Sequence, residues 1–124
     1  MAMSRPPQRE VEFFKEARGC YPVREWLLGV DENDRARALP AIELLADYGL
    51  RLGAPHTKHG RSKIWELRIG SGCRDYRVLY FAAAGQTFVL LHAFLKKKPK
   101  TPRDELTAAE RRLTAHESKS EKGS

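Results

Sequence analysis

The middle of the chain alternates between apolar and polar positions with the period of a β-strand. In residues 63–69, apolar side chains on one face alternate with Glu66 and Arg68 on the other. Residues 74–81 and 87–95 are the next two strand candidates, and glycine-containing turn signals separate the three segments. The last segment is apolar on both faces, which is typical of a central strand covered on both sides.

Helical spacing of apolar residues predicts three helices outside this strand region. Residues 21–28 carry Pro22 near their start, and proline is tolerated at the first position of a helix. Residues 31–48 form the second predicted helix, with an aspartate as N-cap, and Pro40 is expected to kink or split it. Residues 103–116 form a third, polar amphipathic helix, for which Thr101 is a possible cap.

The remaining segments complete a simple order of elements. A first strand is predicted within residues 9–17, and residues 53–62 are predicted to be a basic loop. The order strand, helix, helix, three strands, helix indicates an α+β fold: a small, mostly antiparallel sheet with two N-terminal helices on one face and a C-terminal helix. We expect the other face to be free for a ligand. Residues 1–124 fit a single domain with flexible polar ends at about 1–9 and 117–124.

Several functional classes are disfavoured by simple observations. Residues 78–95 contain no charged side chain, but Gly85 lies in their middle, so two strands explain them better than a membrane helix. The first residues are polar and show no signal peptide, and Cys20 and Cys73 are too isolated for a disulfide framework or a zinc site. We therefore expect a cytoplasmic protein with no membrane association, no metal site and no small-molecule cofactor.

The basic charge of the chain is concentrated in its middle. The net charge is +7 over 124 residues, yet residues 51–100 alone carry eleven Lys and Arg against Glu66 and Asp75, a net of +9. A basic excess confined to one segment is typical of a protein that binds a polyanion such as nucleic acid.

Charged residues of the predicted strands could form one cluster. Glu66 and Arg68 project from the same face of their strand, and Arg77 lies in the next strand. Three lysines, residues 96–98, lie at the end of the third strand. If adjacent strands pair, these positions converge at one end of the sheet. A cluster of cations around one carboxylate is suited to binding a phosphodiester, because the planar fork of arginine can hold phosphate oxygens. By contrast, we expect His92, which lies in an apolar strand, to be a hydrogen-bonded sheet histidine rather than a catalytic one.

The chain resembles the RelE/HigB-type toxins of bacterial type II toxin–antitoxin systems, and more closely the phage-derived branch of that superfamily. The resemblance rests on an ordered set of segments from about residue 11 to residue 112. Those segments are 11–14 (VEFF), 22–27 (PVREWL), 44–49 (LLADYG), 65–68 (WELR), 76–81 (YRVLYF) and 90–102 (LLHAFLKKKPKTP).

This resemblance implies a RelE-like fold and a ribosome-dependent mRNA endoribonuclease that inhibits translation without a metal, using the RNA 2′-hydroxyl. Glu66 and Arg68 would flank the scissile phosphate, with Glu66 a candidate proton acceptor, and Arg77 would stabilise negative charge on phosphorus. Lys96 or Lys97 would neutralise or protonate the leaving oxygen. The residues implied in binding the RNA backbone are Lys58, Arg61, Lys63, Lys98 and Lys100.

The resemblance also implies partners: the ribosome, mRNA and a cognate antitoxin, usually a helix-turn-helix protein. Two alternatives use the same basic face without catalysis. One is a basic RNA-binding module, and the other is an interaction domain that docks an acidic protein.

Overall fold

The computed structural model describes residues 10–83 and 87–122. The described chain forms five strands and three helices, with one 3₁₀ turn at Gly49–Arg51. In chain order, the elements are β1 (Glu10–Phe13), α1 (Pro22–Gly29), α2 (Glu32–Tyr48), β2 (Thr57–His59), β3 (Trp65–Ser71), β4 (Arg74–Ala83), β5 (Thr87–Leu95) and α3 (Arg103–Lys122).

All five strands belong to one sheet in the order β1-β5-β4-β3-β2. The neighbours among β2, β3, β4 and β5 are antiparallel, and only β1 runs parallel to its neighbour β5. The predicted α+β class with a mostly antiparallel sheet and a C-terminal helix is confirmed. The strongly apolar β5 lies inside the sheet between β1 and β4, as its sequence predicts.

Helices pack on both faces of the sheet. On one face, α1 and α2 bury Val23, Leu27 and Leu45 against the inner side chains of the strands. On the other face, α3 buries Ala109 and Leu113 against a second cluster of strand residues. The expectation that this second face is free for a ligand is therefore wrong for the part that α3 covers, because the apolar stripe of α3 needs a partner.

The second helix is continuous, although Pro40 lies inside it. Pro40 and Ala36 are exposed, so water can hydrate the carbonyl group that the proline leaves without a donor, and the predicted split does not occur. Asp31 caps the helix as predicted, since its carboxylate accepts a hydrogen bond of 2.9 Å from the Asn33 amide. Gly49 ends the helix with a φ of 57°, a conformation that favours glycine.

Arg35 holds α1 against α2. Its guanidinium donates hydrogen bonds of 3.0, 3.0 and 3.1 Å to the carbonyls of Leu27, Leu28 and Val30. These carbonyls lie at the C-terminal end of α1, where the last backbone acceptors have no partner within the helix. The side chain therefore stabilises the helix end and fixes the angle between the two helices.

Four segments differ from the sequence prediction or lie outside the described residues. The predicted basic loop contains β2, which pairs with β3, and the Thr57 hydroxyl donates 2.7 Å to the Leu52 carbonyl. Helix α3 continues to Lys122, beyond its predicted end. The predicted flexible residues 1–9 and the turn at Gly85 lie outside the described residues. No helix among the described residues has the length and hydropathy needed to cross a membrane.

Candidate active site

Two arginines lie directly opposite each other on neighbouring strands. Arg68 of β3 pairs in register with Arg77 of β4, so their side chains share the face of the sheet that α3 only partly covers. Glu66 lies two positions along the same face, and Lys58 of β2 is its register partner. The predicted convergence of these strand residues is therefore observed, although Glu66 and Arg77 are only 3% and 5% exposed.

Glu66 contacts a hydroxyl with one oxygen and an arginine with the other. Its Oε2 accepts a hydrogen bond of 2.6 Å from the Thr101 hydroxyl. Its Oε1 lies 3.4 Å from Nε of Arg77, which is an ion pair without the geometry of a hydrogen bond. The carboxylate is thus held from one side and retains an oxygen able to accept a proton or a hydrogen bond.

The guanidinium of the buried Arg77 contacts one carboxylate and one carbonyl through its Nη1 atom. Its Nη1 contacts the Asp75 carboxylate and donates 3.3 Å to the Tyr76 carbonyl. Burial lowers the pKa of Arg77, and repulsion from Arg68 lowers it further, while Glu66 opposes both effects. Burial and repulsion from Arg68 thus create an environment around this guanidinium that would favour an additional anion.

Lys96 completes the group at the end of β5. Its backbone amide donates 2.7 Å to the Asp75 carbonyl, which fixes the end of β5 beside the start of β4. Burial lowers the pKa of Lys96, followed by repulsion from Arg77, with Glu66 acting in the opposite direction. A lysine with a lowered pKa gives up its proton more readily, as a general acid must.

Three buried atoms of this cluster have no hydrogen-bond partner among the described residues: Oε1 of Glu66, Nε of Arg68 and Nε of Arg77. Buried polar atoms are normally paired, and like charges directly opposite on two strands repel each other. A phosphodiester between the arginines would accept both Nε–H groups and screen their repulsion. The cluster has the chemistry of a phosphate site with a carboxylate beside it.

The other predicted residues fall into two groups. The side chains of Lys97, Lys98 and Lys100 are exposed on the segment between β5 and α3, close to Thr101. Arg61 and Lys63 instead form ion pairs with carboxylates of α3, at 3.2 Å to Glu110 and 2.6 Å to Glu117. These two cations therefore attach the loop before β3 to α3. They are less available to an RNA backbone than Lys97, Lys98 and Lys100, which lie on the segment between β5 and α3.

His92 is a hydrogen-bonded residue of the sheet, as expected. Its Nδ1 lies 2.8 Å from Nη1 of Arg112, and its Nε2 lies 2.6 Å from Oε1 of Glu105. Because a guanidinium can only donate, Nδ1 must be the acceptor and Nε2 carries the proton that bonds the carboxylate. The His92 side chain thus attaches α3 to β5.

Two residues of the cluster are not among the site residues predicted from the sequence. Thr101 was expected to cap α3, but its hydroxyl donates to Glu66 instead. Asp75 entered only the charge count, and it contacts the guanidinium of Arg77. The available signal was the alternation of β4: Asp75 lies two residues before Arg77 and therefore on the same face of the strand.

The described residues contain no group of three or more His, Cys, Asp and Glu side chains arranged to hold a metal ion.

Residues 25–114 match the family described as Phage derived protein Gp49-like (DUF891), which belongs to the RelE/ParE-like toxin superfamily. No curated protein sequence matches the chain. The match begins in α1, includes the whole of β2 to β5 and ends within α3, so it contains every residue of the cluster. Because the match covers well over half of the chain, this protein belongs to the Gp49-like family of phage-derived proteins.

Proposed function

We propose that the protein is the toxin of a type II toxin–antitoxin system and an endoribonuclease that cleaves mRNA on the ribosome. The observation that carries this proposal is the pairing of Arg68 with Arg77 beside a buried carboxylate, one oxygen of which has no hydrogen-bond partner among the described residues. Two guanidiniums and one proton acceptor are the groups needed to hold a phosphodiester and to activate a hydroxyl next to it.

In the proposed reaction, Oε1 of Glu66 takes the proton of an RNA 2′-hydroxyl, and the 2′-oxygen forms a bond to the adjacent phosphorus. Arg68 and Arg77 stabilise the negative charge that develops on the phosphoryl oxygens. The bond between phosphorus and the 5′-oxygen breaks, and Lys96 donates a proton to that oxygen. The products are a 2′,3′-cyclic phosphate and a 5′-hydroxyl. Every step is a proton transfer or a substitution at phosphorus, so the reaction needs no metal ion.

The nucleophile explains why RNA is the substrate. DNA has no 2′-hydroxyl, so a site that supplies a base and cations but no nucleophile of its own can cleave only RNA. The exposed side chains of Lys97, Lys98 and Lys100 lie next to this site and supply contacts to phosphate groups. Such contacts position a nucleic acid without reading its sequence, which fits binding to ribosomal RNA and mRNA backbones.

Incubation with ribosomes and a defined reporter mRNA tests the proposal. We expect cleavage products with 5′-hydroxyl ends, and both Arg77→Ala and Arg77→Lys should lower the rate by about 100- to 1,000-fold. Arg77→Lys keeps the charge but loses the planar fork. Arg111→Lys, at an exposed position of α3, is the matched control and should cleave normally.

The same experiment separates the proposal from its alternative. If the wild-type protein binds ribosomes but leaves the mRNA intact, the basic face serves a non-catalytic RNA-binding module. If Arg77→Lys cleaves as fast as Arg111→Lys while both remain folded, the assignment of Arg77 is wrong.

A toxin of this type requires a neutralising antitoxin, which we propose to be a helix-turn-helix protein. Membership of a toxin superfamily supports this partner. Expression of the chain alone should arrest growth, and co-expression of such a protein from a neighbouring gene should restore it. Normal growth without the neighbour would contradict the proposal.

A further inference from the structure

We propose that Thr101 is a positioning residue that determines which oxygen of Glu66 accepts the proton. The proposal rests on the function proposed above and adds a residue to the same site. Its physical basis is that a carboxylate has two equivalent oxygens, and a single strong hydrogen bond makes them different.

The contacts of Glu66 divide its two oxygens. The Thr101 hydroxyl donates 2.6 Å to Oε2, whereas Oε1 is buried and has no hydrogen-bond partner among the described residues. A short hydrogen bond to a charged acceptor is stronger than one between neutral groups. Oε2 is therefore occupied, and Oε1, which lies 3.4 Å from Nε of Arg77, is left beside the cation that would hold the phosphate.

The segment that carries Thr101 is held at both ends. On one side, Lys96 hydrogen-bonds through its amide to Asp75, and on the other α3 begins at Arg103. Pro99 and Pro102 restrict the backbone of the segment between them. Helix α3 is in turn fastened by the contact of Glu105 with His92. The hydroxyl is thus placed before any substrate arrives, and little ordering is required when RNA binds.

A purely structural role predicts different behaviour. If Thr101 only satisfied a buried carboxylate, its loss would lower the free energy of unfolding and leave the reaction of the folded protein unchanged. If Thr101 orients Glu66, its loss lowers the rate of the chemical step while RNA affinity stays the same, because the cations that bind phosphate are untouched.

Three variants test the inference. Thr101→Val removes the hydroxyl at nearly constant shape, Thr101→Ser keeps it, and Thr114→Val is the same exchange at an exposed position of α3. Single-turnover cleavage on programmed ribosomes gives the rate, titration of the protein gives the apparent affinity, and thermal unfolding reports the folded fraction.

We expect Thr101→Val to lower the single-turnover rate by about 10- to 100-fold with an apparent affinity within about threefold of wild type. Thr101→Ser should recover most of the rate. In a Glu66→Gln background, Thr101→Val should have little further effect, since a residue that acts through Glu66 loses its influence when the base is gone.

Three results would overturn the inference. A folded Thr101→Val protein that cleaves like Thr114→Val shows that the hydroxyl does not position the base. If Thr101→Val lowers the cleavage rate by the same factor with and without Glu66→Gln, the Thr101 hydroxyl acts by another route than Glu66. If Thr101→Val unfolds, and a fourth variant, Thr101→Ala, unfolds as well, the role of Thr101 is structural. Failure of the proposed function itself looks different, because the wild-type protein would then leave the mRNA intact, and the positioning role would fall with it.

Discussion

Removing the charge of Glu66 should destabilise the protein far more than removing the charge of a surface glutamate. The Glu66 and Arg77 side chains are 4% and 6% exposed, so their pairing is screened little by water. Glu66→Gln leaves the shape and an acceptor for the Thr101 hydroxyl in place. It nevertheless leaves Arg77 buried opposite Arg68 with only Asp75 as a counter-charge.

Breaking a buried ion pair by neutralising one partner costs about 3–5 kcal/mol. Because Asp75 retains its contact with Arg77, we place Glu66→Gln at the lower end, about 3 kcal/mol. This is a large part of the roughly 5–15 kcal/mol by which a domain of this size is stable. It corresponds to a fall of about 10 °C in the melting temperature.

Glu110→Gln is the matched control. Glu110 pairs with Arg61 at 3.2 Å, but the side chains are 38% and 48% exposed, so its loss should cost less than about 1 kcal/mol. Urea unfolding followed by circular dichroism measures both free energies. Equal unfolding midpoints for the two variants would refute the reasoning, because the buried pair would then contribute no more than an exposed one.

Three further predictions concern stability and RNA binding. Hydrogen bonds from Ser71 and Tyr76 lower the pKa of Asp34, so its stabilisation is present above its unfolded pKa and is lost as pH falls through the folded value. Asp34→Asn should therefore flatten the decline of the unfolding free energy below about pH 4. Leu113→Ala should cost about 2–4 kcal/mol in a thermal melt because it opens the core under α3, whereas exposed Leu28→Ala should cost under about 0.5 kcal/mol. Lys98→Ala should lower the slope of log RNA affinity against log salt concentration by about one, the value for one phosphate contact. The same slope as for Lys119→Ala, a change at an exposed position of α3, would exclude that contact.

The sheet and most of the cluster could be predicted because both follow from short-range patterns. Alternation places Glu66 and Arg68 on one face, and a tight connection between two strands makes the next strand antiparallel. Arg77 is then expected near Glu66 and Arg68, and the structure places it directly opposite Arg68. The exact ion pair was less predictable, because Glu66 contacts the arginine across the strands rather than the one on its own strand.

The hydrophobic and polar pattern of the sequence does not predict how the segments outside the long strands contact the sheet. Thr101 reaches Glu66 because the chain crosses from β5 to α3 over the face of the sheet, and the path of such a crossing has no periodicity. The apolar stripe of α3 was recognised, but nothing in its spacing shows which surface it covers. With three residues, β2 is too short for alternation to distinguish it from a loop.

The parallel pairing of β1 with β5 also bears on when the protein can fold. Glu10 lies opposite Thr87, so the first strand has no partner until almost all of the sheet has been synthesised. Thr101 comes later still, between β5 and α3. Contacts between such distant parts of a sequence slow folding. The cluster around Glu66 is therefore assembled only after Thr101 has been synthesised, and a shorter nascent chain still attached to its own ribosome lacks it.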